Sequence, residues 1–225
     1  MDWHYHQPVF ASDSAPELPQ LFMTQGAWSG HRRFAYDLVR FARPRIIVEL
    51  GTLYGTSFFA FCQAVKDGQL NSHCFAIDSW RGDPHVGVYN DSVFHAVQAV
   101  TDREFPNIGV LVRSDFNGAA KYFADGYIDI LHIDGYHTYE AVCNDYINWL
   151  PKLARNGIVL FHDIAIRMGD FGVYRLWEEL QIHPRITFTH SCGLGVLFPK
   201  GCPAEWLPLI ENQGALVANY GAGQS

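Results

Sequence analysis

A chain of 225 residues can bury a sizeable core as one domain, and 48% hydrophobic against 17% charged residues excludes a disordered polymer. Sixteen basic residues against 23 acidic ones give a formal charge of −7 with no Lys/Arg cluster, which argues against nucleic acid as a partner. The cysteines (Cys62, Cys74, Cys143, Cys192 and Cys202) are odd in number and lack CxxC spacing, so free thiols are expected; with no leader-like start and no apolar run near about 20 residues, the expectation is a cytoplasmic protein without a membrane span.

Residues 1–30 are rich in proline and serine yet carry Phe10, Leu21, Phe22, Met23 and Trp28, so they read either as a tail or as a flap over a pocket. The spacing of Phe34, Leu38, Val39 and Phe41 predicts a helix over 30–41, ended before Pro44. In residues 45–57 the apolar run Ile46 to Val48 reaches Glu49 and Gly51, and Gly55 precedes Thr56, Ser57 and a helix over 58–66. That is a buried strand, a tight glycine turn and a helix start, where a ligand can approach bare backbone and unpaired N–H groups. A second strand, 73–78, ends in Asp78, a carboxylate placed to face a ribose. An aromatic, charged and glycine-rich loop, 79–89, leads to a helix over 91–101, a strand over 108–113 closed by Ser114 and Asp115, and a short helix over 119–123.

The second half repeats the pattern: a strand over 128–133 ending at Asp134 and Gly135, a helix over 139–153 stopped by Asn156 and Gly157, a strand over 158–161 ending at His162 and Asp163, a helix over 171–180, and two close-set strands over 186–190 and 194–199. The order predicts an α/β fold: a mostly parallel sheet with one antiparallel strand and helices on both faces. Its expected organisation is an N-terminal extension (1–30), one domain (31–200) and a C-terminal tail (201–225).

Five strand ends carry acids: Glu49, Asp78, Asp115, Asp134 and Asp163. Any one of them could simply cap a helix; together they line the crevice where open parallel sheets bind ligands. The ribose facing Asp78 could belong to NAD, although Gly-x-x-x-Gly in place of Gly-x-Gly-x-x-Gly leans against a dinucleotide.

The segments Glu49-x-Gly51-x-x-x-Gly55-x-Ser57, Asp78, Ile133-Asp134-Gly135-Tyr136-His137-x-Tyr139-Glu140, Trp149-Leu150-Pro151-Lys152-Leu153 and Phe161-His162-Asp163 closely resemble the class I S-adenosylmethionine-dependent methyltransferases. The match is to the branch with macrocin-type sugar O-methyltransferases and cephalosporin hydroxylase, and it runs over about residues 34–198. Residues 80–89 and 171–177 resemble methyltransferase domains found beside glycosyltransferases. The resemblance implies a Rossmann-like sheet binding S-adenosylmethionine. Gly51 and Gly55 would wrap its methionine portion, with Glu49 at the strand end and Ser57 at the helix start. Asp78 would accept from the ribose hydroxyls, and Asp115, with Ser114 or Phe116, would lie by the adenine. Asp134 is assigned to cofactor, metal and catalysis alike, and Asp134, His162 and Asp163 would hold Mg, Mn or Fe.

The sugar-methylating relatives have an acid where His162 stands and an Asp where Tyr136 stands. His137, near neutral when unperturbed, is the candidate base, and Trp80, Arg81, Asp83 and His85 are candidate acceptor contacts. The expected reaction is methyl transfer to an oxygen of a small molecule, a sugar or a glycan. Two rivals stand beside it: a metal-dependent oxygenase on the same scaffold, and a non-catalytic nucleotide-binding domain of a glycan-synthesis assembly. The acceptor, and whether the chain forms a homo-oligomer, are left open.

Overall fold

A computed structural model describes residues 2–221; Met1 of the 1–30 segment and the last four residues of the 201–225 segment lie outside the described residues. Seven strands form the main sheet: β1 (Ile46–Leu50), β2 (His73–Asp78), β3 (Gly109–Arg113), β4 (Ile128–Ile133), β5 (Leu153–His162), β6 (Arg185–Phe188) and β7 (Leu194–Leu197). Their spatial order is β3-β2-β1-β4-β5-β7-β6. All neighbours pair in parallel except β7, which is antiparallel to both β5 and β6 and is therefore the one reversed strand.

The central strand β1, Ile-Ile-Val-Glu-Leu, is buried at every position, as a parallel strand covered on both faces must be. Its pleat divides the core. Ile47 joins Ile130, Ile158 and Leu160 beneath α2 (Arg32–Ala42), α3 (Thr56–Gly68) and α4 (Asp91–Glu104), whereas Ile46, Val48 and Leu50 join Leu131, Val159 and Phe161 beneath α5 (Phe116–Ala120), α6 (Tyr139–Trp149) and α7 (Val173–Glu179).

Two of the boundaries that differ from the sequence reading do so for plain local reasons. α5 starts three residues early because Asp115 caps it, its carboxylate accepting from Gly118 N at 2.7 Å. The predicted helix over 139–153 stops at Trp149, as Pro151 follows in a 3-10 turn over Leu150–Lys152, and β5 begins at once at Leu153.

The chain ends pack on the body. Phe10, Ala15, Leu18, Met23 and Trp28 are buried, and the N-terminal stretch contains a helix, α1 (Gln20–Gln25). Beyond residue 200 lie α8 (Leu207–Glu211) and α9 (Gln213–Gly221), with Trp206, Leu216 and Tyr220 in the α2/α3 core. The Tyr220 hydroxyl donates to Asp37 of α2 and accepts from Trp3 Nε1 at 3.0 Å, tying both ends to one helix. All five cysteines are free. No helix among the described residues is long and apolar enough to cross a membrane.

Candidate functional site

The carboxyl ends of β1, β2 and β4 meet at Gly51. Its N–H donates to Ile77 O at 2.9 Å, and Asp134 N donates to Leu50 O at 2.9 Å. With φ at +89°, a Cβ here would sit 2.0 Å from the Asp134 carbonyl oxygen, so only glycine lets the turn lie flat on the β4 end. This contact brings the Asp78 and Asp134 strand ends to one cavity of about 440 Å³, a size suited to a cofactor and a small substrate.

Gly51, Ser57, Asp78, Ser114, Asp115, Asp134, His137, His162 and Asp163 all line it. Gly55 does not; it is the left-handed N-cap of α3, lying against the Phe59 ring. Asp78 is already engaged. One oxygen accepts from Thr52 N (2.9 Å) and Leu53 N (3.0 Å), and the other from Trp80 N (2.7 Å). A carboxylate has about four acceptor sites, so it can pin this loop and still accept from a ligand hydroxyl.

Glu49 lies beneath the cavity rather than on its wall. It is fully buried, which raises its pKa, and a hydrogen bond with His132 opposes that rise. The Glu49–His132 distance is 2.9 Å; Trp28 Nε1 donates to the other His132 nitrogen at 3.2 Å, so Nδ1–H of His132 points at Glu49. Glu49 Oε1 has no hydrogen-bond partner among the described residues.

Asp134, His162 and Asp163 bring one ligand atom each within 4.8 Å of one another. His162 Nε2–H donates to Ser191 O at 3.1 Å, leaving Nδ1 at 3.3 Å from Asp134 and 3.2 Å from Asp163. His137 Nε2 lies 3.0 Å from Asp163 and 3.7 Å from Asp134. Burial alone would depress both histidines, but the two carboxylates overcome it: His162 is carried well above its ordinary value and His137 up to about 10. Burial likewise opposes ionisation of Asp134 and Asp163, yet the histidines hold both below the usual carboxylate range. The carboxylate pair thus favours the protonated form of both imidazoles. The contact that places His137 also lifts it above the near-neutral value expected from sequence.

The remaining wall is aromatic. His85 Nδ1 is 3.1 Å from His137 Nδ1 and its Nε2 is 2.7 Å from Asp170, with the Phe171 ring near-parallel to both imidazoles at 4.4 and 4.9 Å. Of the candidate acceptor contacts, Asp83 and His85 reach the cavity. Arg81 is not on its wall. Trp80 is fully buried, its indole N–H donating to Leu53 O at 3.0 Å, and serves the loop instead. Sequence reasoning missed His132, hidden in an apolar strand, and the wall residues Tyr89 and Phe171. Phe22, Ala27 and Trp28, from the stretch that the sequence offers as a tail or a flap, also line the cavity, and sequence reasoning did not assign them to the site.

A seven-stranded sheet in this order, with one reversed strand and its crevice at the carboxyl ends, is the Rossmann-like architecture of methyltransferases. A family described as "Methyltransferase domain" matches residues 48–164, more than half the chain, and the chain belongs to that family. It is 44% identical over 181 residues to the uncharacterized protein y4gI of Sinorhizobium fredii (strain NBRC 101917 / NGR234), a match covering 80% of this chain and 20% of that one, so the chain spans about a fifth of that relative's length. A methyltransferase from Geobacter sulfurreducens shares the fold at a TM-score of 0.55 and 21% identity, covering 74% of this chain and 76% of its own. The O-methyltransferase TomG from Streptomyces achromogenes, solved in complex with S-adenosylmethionine, does so at 0.55 and 14%, covering 80% and 90%.

Proposed function

We propose that the chain transfers a methyl group from S-adenosylmethionine to a hydroxyl of a sugar or glycan, with a divalent ion on Asp134, His162 and Asp163. The observation that carries this reading is that the Gly51 turn, Asp78 and the Asp134–His162–Asp163 cluster share one cavity. The family assignment and the S-adenosylmethionine complex of TomG support the choice of cofactor. Asp78 would take the ribose hydroxyls in charge-assisted hydrogen bonds, Asp115 and Ser114 the adenine side, and Gly51 and Ser57 the methionine portion.

The donor set fits a metal. Two carboxylate oxygens and one imidazole nitrogen within 4.8 Å can meet around one ion at ligand distances of about 2.0–2.4 Å. Bound there, a divalent ion would stabilise an alkoxide. His137 is the residue beside the cluster that takes the acceptor's proton, from its neutral form, and it must first release the proton that Asp134 and Asp163 hold on it. Asp83, His85, Tyr136 and Phe171 offer the polar and stacking groups that suit a sugar. Methyl transfer is an in-line displacement, so alignment by these walls is the main contribution asked of the protein.

One observation favours a metal-dependent oxygenase as a second reading: His137 and His162 both touch the carboxylate pair, a nitrogen-richer set that suits iron. Calorimetry with S-adenosylhomocysteine tests the first reading, and absence of binding at millimolar concentration refutes it. Oxygen uptake without S-adenosylhomocysteine formation on the iron-loaded protein would select the second.

A further inference from the structure

At the opposite end of the sheet, where β1 and β4 begin, a polar groove of about 320 Å³ is lined by Arg43, Arg45, Arg155 and Asn156. All four are exposed. Among the described residues no hydrogen bond, ion pair or ring contact holds any of the three guanidinium groups. Other cations of this chain, whose net charge is −7, do find acids: Arg32 pairs with Asp13, Arg103 with Glu17, Arg113 with Asp91 and Lys152 with Asp125. Two acids, Asp129 and Glu205, share the groove, and neither draws an arginine into an ion pair.

Asp129 is committed to the backbone. Its Oδ2 accepts from Arg45 N at 2.7 Å and Ile46 N at 3.0 Å, which pins the link between α2 and β1. Arg43 stands in that link at φ +47°, and across the groove Asn156 stands at φ +62° with its N–H donated to Lys200 O. The rim that presents the three arginines is thus built from fixed backbone.

The geometry points to a binding site for the phosphate monoester or diphosphate group of a small molecule, separate from the cofactor crevice. Three guanidinium groups line this one groove, and each offers a fork that matches the bidentate geometry of phosphoryl oxygens. The groove's volume is that of a small ligand, and Asp129 Oδ1 and Glu205 leave acceptors for hydroxyls on the phosphorylated molecule. The inference does not depend on the cofactor or acceptor proposed above.

The test is calorimetric titration of the intact chain with inorganic pyrophosphate at low salt, with and without saturating S-adenosylhomocysteine. We expect one saturable site per chain that S-adenosylhomocysteine does not displace. Arg45→Ala and Arg155→Ala should each weaken it about tenfold, as loss of a charge-assisted pair does, while Lys121→Ala, an exposed cation elsewhere, should leave it unchanged. The arginines are exposed, so thermal melts of the variants should match the parent. Three results would overturn the proposal: no saturable binding in the millimolar range, competition with S-adenosylhomocysteine, or equal weakening by Lys121→Ala. Binding of an oligo-aspartate peptide in place of pyrophosphate would overturn it too, in favour of an acidic protein segment.

Discussion

Gly51→Ala puts the central contact of the site under direct strain. The added Cβ would lie 2.0 Å from the Asp134 carbonyl oxygen, 2.6 Å from its carbon and 3.0 Å from Gly135 N, all backbone atoms that cannot rotate aside. Alanine at φ +89° costs about 1–2 kcal/mol in itself. Forcing the β1 and β4 ends apart adds about 1–3 kcal/mol, as overpacking does elsewhere. The total, about 2–5 kcal/mol, is a large part of the about 5–15 kcal/mol that holds a domain folded. Gly126 supplies the control, because its φ is +69° with nothing within 4 Å of a built Cβ, so Gly126→Ala should show the backbone cost alone. Urea unfolding of both variants reads the difference, and S-adenosylhomocysteine affinity of the refolded Gly51→Ala protein should fall at least about tenfold, about 1.4 kcal/mol. Equal destabilisation by the two substitutions would refute the claim that the Gly51–Asp134 approach builds the site.

Asp78→Asn should lower S-adenosylhomocysteine affinity by about tenfold or more, since an amide offers one acceptor oxygen where three backbone N–H groups and the ligand now share two; an unchanged calorimetric affinity would remove Asp78 from the cofactor site. Asp145 of α6, 5% exposed, is pushed up to about 7 by burial, with Asn144 opposing, from an ordinary 3.8. Between those values the folded chain binds the extra proton, so stability should fall as pH rises from about 4 to about 7. Asp145→Asn should flatten that slope and stabilise the protein at pH 8 by an upper bound of about 4 kcal/mol; a parallel slope in melts of parent and variant would contradict this. Mn²⁺ at about a hundred times its dissociation constant should stabilise the parent by about 2.7 kcal/mol, and a melting shift that survives in the His162→Ala, Asp163→Asn double variant would dismiss the proposed metal ligands.

Strand positions were legible because the chain signals them locally. Ile46–Leu50, His73–Asp78 and Ile128–Ile133 are short apolar runs that stop at an acid or a glycine, and the β-α alternation dictates a parallel sheet. The acids that end them were legible as a ligand crevice for the same reason. Boundaries slipped where one side chain decides, as with the Asp115 cap and Pro151. For Phe22 and Trp28 the sequence left a tail and a flap both open, because nothing near them in the chain says what they cover.

The amino-acid sequence by itself determined the fold class, the glycine turn and the set of acids that meet at the crevice, since period, turn chemistry and strand length are properties of neighbouring residues. Only the tertiary structure decided which of those acids line the cavity. Glu49 went under the floor to His132, and Asp134 and Asp163 came close enough to two histidines to raise their pKa. Burial and charge pairing act between residues that are distant in the chain, and at separations near 3 Å they outweigh the intrinsic pKa that a residue's identity suggests.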